Sequence, residues 1–380
     1  MIRFLTQFSR IFVGVLFIIS GLIKSNDPIG FGYKLEEYFQ VFGTEFFIPF
    51  VVPLAVFICA FEVVLGVMLL IGYKTKPTLY SLLAMIVFFT FLTFYSAYYN
   101  KVTDCGCFGD ALKLKPWESF TKDIILLVFI FILLIGSKFI KPIFKPKAMV
   151  GIIIFAILIN VAFPIYTINF FPVIDFRPYK VGTHILQAMQ GGKAPVVDIK
   201  MLYKNLKTGK IEKFDTDKIP YTDTINYEID STKWEFVDQE QNIIEEGELP
   251  AIHDFSISNV EGSEYTTDIL EYQGYYFFII NSDLDQSKTK NQSKINDFAA
   301  LSEQNKVPIY GLTSSSVKRV DQFRHDNQIM FEYYITDATQ LKTFIRSNPG
   351  LVLMKGDLVV AMWHYNSWPV FSDVKAKFSL

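Results

Sequence analysis

The sequence predicts a membrane all-α helical bundle followed by an extracytoplasmic α/β domain. Three observations carry that expectation. Of the 380 residues, 51% are hydrophobic and only 19% charged, too apolar for an ordinary soluble chain of this length. The apolar residues crowd ahead of about position 171, whereas the remainder mixes polar and apolar runs with turn residues. The join, Phe176-Arg177-Pro178-Tyr179-Lys180-Val181-Gly182, is a polar, Pro/Gly-containing exit from a bilayer. The domains read as 1–171 in the membrane, 172–249 as linker with added β-structure, and 250–380 as the main α/β domain.

A helix needs about 20 mostly apolar residues to cross the hydrocarbon core, and five segments qualify: 4–23, 46–71, 78–99, 120–140 and 148–170. The first runs into Ser20-Gly21-Leu22-Ile23-Lys24 with no small-x-small cleavage pattern, so it is read as a span and not a signal peptide. Arg3 and Arg10, Lys74 and Lys76, and Lys138, Lys141, Lys145 and Lys147 all fall on one face, which the positive-inside rule makes cytoplasmic. The N-terminus is then inside, and loops 24–45 and 100–119 and the C-terminal domain are outside. Lys101, Lys113 and Lys115 run against this pattern. Residues 30–39 repeat apolar and aromatic side chains at helical spacing, as in a short interfacial helix.

The most specific segment is Asp104-Cys105-Gly106-Cys107-Phe108-Gly109-Asp110. Two thiols one glycine apart close only a small ring, so their disulfide is easily reduced and exchanges readily. The central glycine supplies the backbone freedom that such a ring needs. Cys105 and Cys107 are therefore the candidate redox pair, with an inert loop brace as the alternative. A metal site would need further ligands, and the four histidines, His184, His253, His325 and His364, have no ligand spacing. Cys59 lies mid-span, where a thiol is usually buried and inert.

Glu62 sits in the second span, and an intramembrane carboxyl is costly enough to be a functional candidate by default, with helix packing as its plain alternative. Lys24 reads as a snorkelling interface anchor. The formal net charge of -2 leaves no basic field to hold nucleic acid.

Residues 1–140 resemble the DoxX/MauE group of redox-associated membrane proteins. The likeness lies in Ser20-Gly21-Leu22-Ile23-Lys24 followed by Asp27-Pro28, the glutamate and glycine of the second span, and Cys105-Gly106-Cys107-Phe108-Gly109. It implies a four-helix core, here with a fifth span added, in a bacterial inner (cytoplasmic) membrane. It also implies a redox role for Cys105 and Cys107, with a quinone as candidate electron acceptor. The partner does not carry over from the resemblance; the expected place of the two thiols outside the bilayer makes an extracytoplasmic client protein or envelope complex the candidate.

From about 275 strands and helices alternate: 275–280, a helix through Ile295, Phe298 and Leu301, 308–313, a helix through Val317, Val320 and Phe323, 331–336, 337–347, and a hairpin entered through Asn348-Pro349-Gly350. This order resembles the peroxiredoxin-like version of the thioredoxin fold. Pro250–Ile257 matches its entry strand, and Pro349 its cis-proline. Where active thioredoxins carry cysteines, this chain has Asn281-Ser282-Asp283-Leu284-Asp285, and no cysteine follows residue 107. The resemblance implies a redox-inactive, protein-binding domain. His253 and His364, with no nucleophile beside them, read as fold residues.

Two readings of function follow. One is a membrane thiol-disulfide oxidoreductase working through Cys105 and Cys107, and the other is a non-enzymatic anchor or scaffold that recruits partners through the α/β domain. A transporter has less support, because one intramembrane carboxyl without repeat symmetry is a thin signal.

Overall fold

The computed structural model describes residues 2–380 except 100, 103–107, 113, 194–195, 216–218, 220, 224–227, 231, 246 and 248. Cys105 and Cys107 thus lie outside the described residues. The chain divides into two compact units: residues 1–183 with 256–380, and residues 184–255.

The first unit begins with helices α1 (Ile2–Asn26), α2 (Pro28–Val41), α3 (Val51–Ile71), α4 (Thr75–Tyr99), α5 (Pro116–Ile135) and α6 (Pro146–Asn169). Among the described residues, four helical stretches are long and apolar enough to cross a membrane: Ile2–Asn26, Glu45–Ile71, Thr75–Tyr99 and Pro146–Asn169. α5 carries Glu118, Lys122 and Asp123 in its first half. It also stops at Gly136, ahead of the expected end at 140, because the chain tightens there into a 3-10 turn over Ser137–Phe139. Outward-facing Phe88, Phe91, Phe155 and Leu158 are more than half exposed, as suits a lipid-facing surface.

Inside the bundle, Val13 and Phe17 of α1 pack with Leu65 and Leu69 of α3, Leu79, Leu82 and Ile86 of α4, and Leu126, Ile130 and Leu133 of α5. Small residues bring α1 and α3 close. A Cβ on Gly66 would stand 2.7 Å from the Gly14 carbonyl oxygen, and one on Gly21 2.9 Å from that of Cys59. Arg10 closes one end of the same helix pair, donating to the carbonyls of Leu69 (3.0 Å) and Leu70 (2.7 Å) in the last turn of α3. α2 is the short helix expected over 30–39, and Asp27 caps it by accepting from Gly30 N–H at 2.9 Å.

The unit resumes with α8 (Thr266–Leu270), β6 (Tyr275–Asn281), α9 (Gln292–Gln304), β7 (Ile309–Thr313), α10 (Val317–Asn327), β8 (Glu332–Ile335), α11 (Ala338–Phe344), β9 (Gly350–Lys355), β10 (Leu358–His364) and α12 (Phe371–Phe378). These strands form one sheet in the order β10-β9-β6-β7-β8, with β6, β7 and β8 parallel and β9 and β10 antiparallel. That order is thioredoxin-like. β6 is buried along nearly its whole length, as its apolar run requires in a central strand covered on both faces. The Asn348–Pro349 peptide is cis.

The expected entry strand over 250–257 is absent. Ile257 N–H goes to Thr266 Oγ1 (2.7 Å) and Ile257 carbonyl accepts from Tyr265 N–H (2.8 Å), so a local turn consumes the groups a ladder would need. Only Ser258 pairs with the sheet, exchanging hydrogen bonds with Ile335 at 3.0 and 2.7 Å. The exit from α6 is tied down as well: Tyr179 stacks on Phe344 at 4.4 Å, and Arg177 donates to the Phe344 carbonyl at 3.0 Å.

In the second unit, α7 (Ile185–Met189) precedes β1 (Val196–Asn205), β2 (Ile211–Asp215), β3 (Tyr221–Asp223), β4 (Glu228–Ile229) and β5 (Trp234–Glu245). β2, β1 and β5 make an antiparallel sheet, and β3 pairs with β4. Tyr203, Phe214, Trp234 and Phe236 meet edge to face on it.

Because a Cβ on Gly66 meets the Gly14 carbonyl oxygen at 2.7 Å as well as the Ile18 side chain at 2.8 Å, and the backbone cannot swing aside, Gly66→Val has no room to enter. It is expected to cost about 1–3 kcal/mol through overpacking, read as a lower melting temperature of the detergent-purified protein than that of a Gly151→Val control, whose Cβ meets nothing within 4 Å.

Candidate functional site

The close approach of α1 and α3 puts Lys24 against Glu62. Their side chains, 2% and 3% exposed, form an ion pair, and Ser20 Oγ donates to the second carboxylate oxygen at 3.3 Å. The Lys24 ammonium also lies over the rings of Phe31 (5.1 Å) and Phe89 (5.0 Å). Lys24 is therefore no snorkelling anchor. With a carboxylate one helix away, pairing satisfies both charges without a path to water. The free Cys59 thiol is fully buried on α3. On α4 and α5, Thr93 Oγ1 donates to Asp123 Oδ2 at 3.1 Å, and Lys122 Nζ lies 2.7 Å from Asp123 Oδ1.

A second polar cluster joins the bundle to the α/β domain. Arg346, three residues before Pro349, has a 5% exposed side chain whose Nε donates to both Asp27 oxygens (3.1 and 2.9 Å). Its Nη2 donates to Asp110 Oδ2 at 3.1 Å, and its guanidinium lies 5.5 Å from the centre of the Tyr33 ring. Burial alone would push the guanidinium pKa down, but Asp27 and Asp110 outweigh it, so Arg346 is held above the ordinary arginine value. Alongside, Lys342 Nζ sits 3.4 Å from Glu36 and over Tyr33 at 4.8 Å. Asp110 lies in a 3-10 turn over Gly109–Ala111, three residues past Cys107.

The loop after β6 is held by hydrogen bonds that serve the fold. Tyr333 Oη donates to Asn281 Oδ1 (2.9 Å), Asn281 Nδ2 to Ser287 Oγ (2.7 Å) and Asn348 Nδ2 to the Asp283 carbonyl (2.7 Å). Burial holds the Tyr333 hydroxyl well above the ordinary tyrosine range, so it stays a donor. His364 Nδ1 accepts from Asn366 N–H at 3.1 Å, and the ring meets Phe171 edge on at 5.3 Å. Burial, then the nearby charge of Lys288, pushes its pKa down to about 4, against a weaker opposing hydrogen bond to the Ile168 carbonyl. Among the described residues, no group of three or more His, Cys, Asp or Glu is placed to hold a metal ion.

Of the residues singled out in the sequence, Lys24, Glu62 and Cys59 lie within the helical bundle and His364 and Pro349 in the α/β domain, while Cys105 and Cys107 lie outside the described residues. The sequence reading missed Arg346, Asp27 and Asp110 as partners. Their signals were faint: an aspartate before a helix-starting proline, an aspartate closing the Cys-Gly-Cys segment, and an arginine shortly before the hairpin proline.

Residues 2–136 match the family model of the methylamine utilisation protein MauE. Among solved structures, the chain is similar to a secreted Mycobacterium tuberculosis disulfide oxidoreductase, with 8% identity, 33% of this chain and 95% of that one covered and a TM-score of 0.27. A thiol:disulfide interchange protein from Chlorobium tepidum shows 13% identity, 32% and 88% coverage and a TM-score of 0.26. The Xanthomonas campestris bacterioferritin comigratory protein shows 16% identity, 33% and 88% coverage and a TM-score of 0.24. At such identities the likeness concerns fold only. No curated protein matches the chain. The chain joins a membrane region similar to MauE over residues 2–136 to an α/β domain whose sheet order is thioredoxin-like.

Two expectations follow. Removing one member of the Lys24–Glu62 pair strands a buried charge, so Glu62→Leu should destabilise by about 3–5 kcal/mol, while Lys24→Met with Glu62→Leu should recover much of the loss. Yield of folded, monodisperse protein after a heating series in detergent measures both. For His364, the native state takes up a proton only near pH 4, whereas the unfolded chain does so near 6.5. The contribution is complete above pH 6.5 and fades as pH falls towards 4, by about 2 kcal/mol at pH 5. Melting at pH 7.5 and 5.0 should show this loss, reduced in His364→Phe.

Proposed function

We propose that the chain is a membrane thiol/disulfide redox protein whose Cys105–Cys107 pair exchanges electrons with an extracytoplasmic client. The observation that carries this is the Arg346–Asp110 bridge, which links the segment just past the cysteine pair to the segment just before Pro349 of a thioredoxin-like domain. In one turnover the client dithiol gives two electrons and two protons, the Cys105–Cys107 disulfide opens to two thiols, and a disulfide forms in the client. The α/β domain, having no cysteine of its own, acts by binding and not by exchange.

The resemblance of residues 1–140 to the DoxX/MauE group suggests a quinone as acceptor. A groove of about 470 Å³ between α1 and α5 suits a quinone: Phe12, Leu16, Ile125 and Leu126 give it apolar walls, and Glu118, Thr121 and Lys122 a polar end. Lys122 Nζ stands 5.4 Å from the centre of the Phe108 ring, the residue after Cys107. A quinone held there supplies a two-electron, two-proton sink for the reduced pair. The basic loops favour an N-terminus in the cytoplasm, α5 as a fifth span, and the cysteine pair and the α/β domain in the periplasm of a bacterial inner membrane. The functional division runs 1–171, 172–249 and 250–380.

The second reading, a scaffold that recruits an envelope partner, is favoured by the loop after β6, where Asn281 and the Asp283 carbonyl are spent on structural hydrogen bonds. Trapping separates the two. In intact spheroplasts, a membrane-impermeant maleimide should label Cys105 and Cys107 after reduction, and Cys107→Ser should accumulate mixed disulfides between Cys105 and a client. Full complementation of a deletion strain by Cys105→Ser/Cys107→Ser would sink the redox reading and leave the scaffold.

A further inference from the structure

Arg346 makes little use of its own domain. Among the described residues, its only acceptor within the α/β domain is the Lys342 carbonyl one turn back, whereas its other polar contacts and its ring contact reach Asp27, Asp110 and Tyr33 of the membrane domain. A buried guanidinium that the local fold does not need is costly unless its partners define an interface. Those partners are not loose surface groups. Asp27 also caps α2 through Gly30 N–H, so a grip on its carboxylate is a grip on the α1–α2 corner. Asp110 sits in a 3-10 turn, so the same guanidinium holds the chain as it leaves Phe108. One fork thereby ties together two membrane-domain loops 83 residues apart in sequence (110 less 27) and anchors both beside the segment before Pro349.

We propose that Arg346 is a positioning residue for the cysteine pair: by holding Asp27 and Asp110 together it docks the thioredoxin-like domain on the membrane domain and sets the reactivity of the thiols of Cys105 and Cys107, five and three residues before Asp110 in the sequence. The inference rests on the redox reading of Cys105 and Cys107. A fork is needed and not merely a positive charge, because two carboxylates from different loops are met by separate N–H groups of one planar group. Lysine keeps the charge but cannot reproduce that geometry. Lys342, paired with Glu36 over the same tyrosine, extends the contact without touching Asp110.

The test uses the full chain in nanodiscs and reads the cysteines, not client turnover. Arg346→Gln and Asp110→Asn should each change the alkylation rate of the reduced pair in the same direction, on the order of tenfold, and shift its glutathione redox midpoint. The double variant should go no further than the larger single change, since both remove one interaction. Arg346→Lys should fall between Arg346→Gln and the parent. Unchanged alkylation and midpoint in a folded Arg346→Gln, or effects of the two variants that simply add, would overturn the proposal. If Arg346→Gln does not fold, Asp110→Asn, changed at a partly exposed side chain, decides the matter by the same two measurements. A serine pair that still supports client oxidation would remove the redox reading while leaving any Arg346-dependent thiol reactivity intact, so the two failures are distinguishable.

Discussion

The Lys24–Glu62 ion pair is the contact from which the arrangement of the first unit follows. Two charges in the apolar interior of a helical bundle are tolerable only when each satisfies the other, and that is possible only if α1 and α3 come close enough for the side chains to meet. Gly14, Gly21 and Gly66 supply that closeness. The pair in turn holds the last turn of α1. Asp27 N–H bonds the Lys24 carbonyl at 3.2 Å, and the Asp27 side chain turns outward to meet Arg346. Packing, buried charge and domain docking thus form one connected chain of causes.

The α/β domain combines a thioredoxin-like sheet order with a heavily hydrogen-bonded loop after β6. The sheet order and the cis peptide before Pro349 are kept, while the loop after β6 is pinned by Asn281, Ser287, Tyr333 and Asn348. The domain's remaining distinction is the face from which Arg346 and Lys342 reach the membrane domain.

Electrostatics divide the two polar clusters by environment. Lys24 and Glu62 are enclosed by helices and rings. Arg346, Asp27 and Asp110 instead join separate elements at the rim, where a planar fork can serve two carboxylates at once. Truncating one partner at either place exposes the same physics, the cost of a charge left dry, with different structural consequences: loosened helix packing in the first case, a loosened domain contact in the second.

Hydrophobic runs of spanning length, the switch at about 171 and the strand–helix alternation after 275 made a membrane bundle with an α/β domain legible in the sequence, because those features depend on local periodicity and composition. Glu62 and Pro349 stood out for the same reason: a carboxylate in an apolar helix and a proline before a hairpin are local anomalies. What local pattern could not determine was partnership. Lys24 looked like an anchor because its counter-charge lies 38 residues away. Residues 250–257 looked like a strand, but Thr266 and Tyr265 claim the backbone groups that pairing would use. Arg346 meets Asp27 across 319 residues, a contact that exists only once helix packing and sheet order have brought the three loops together, and that tertiary closure alone decided it.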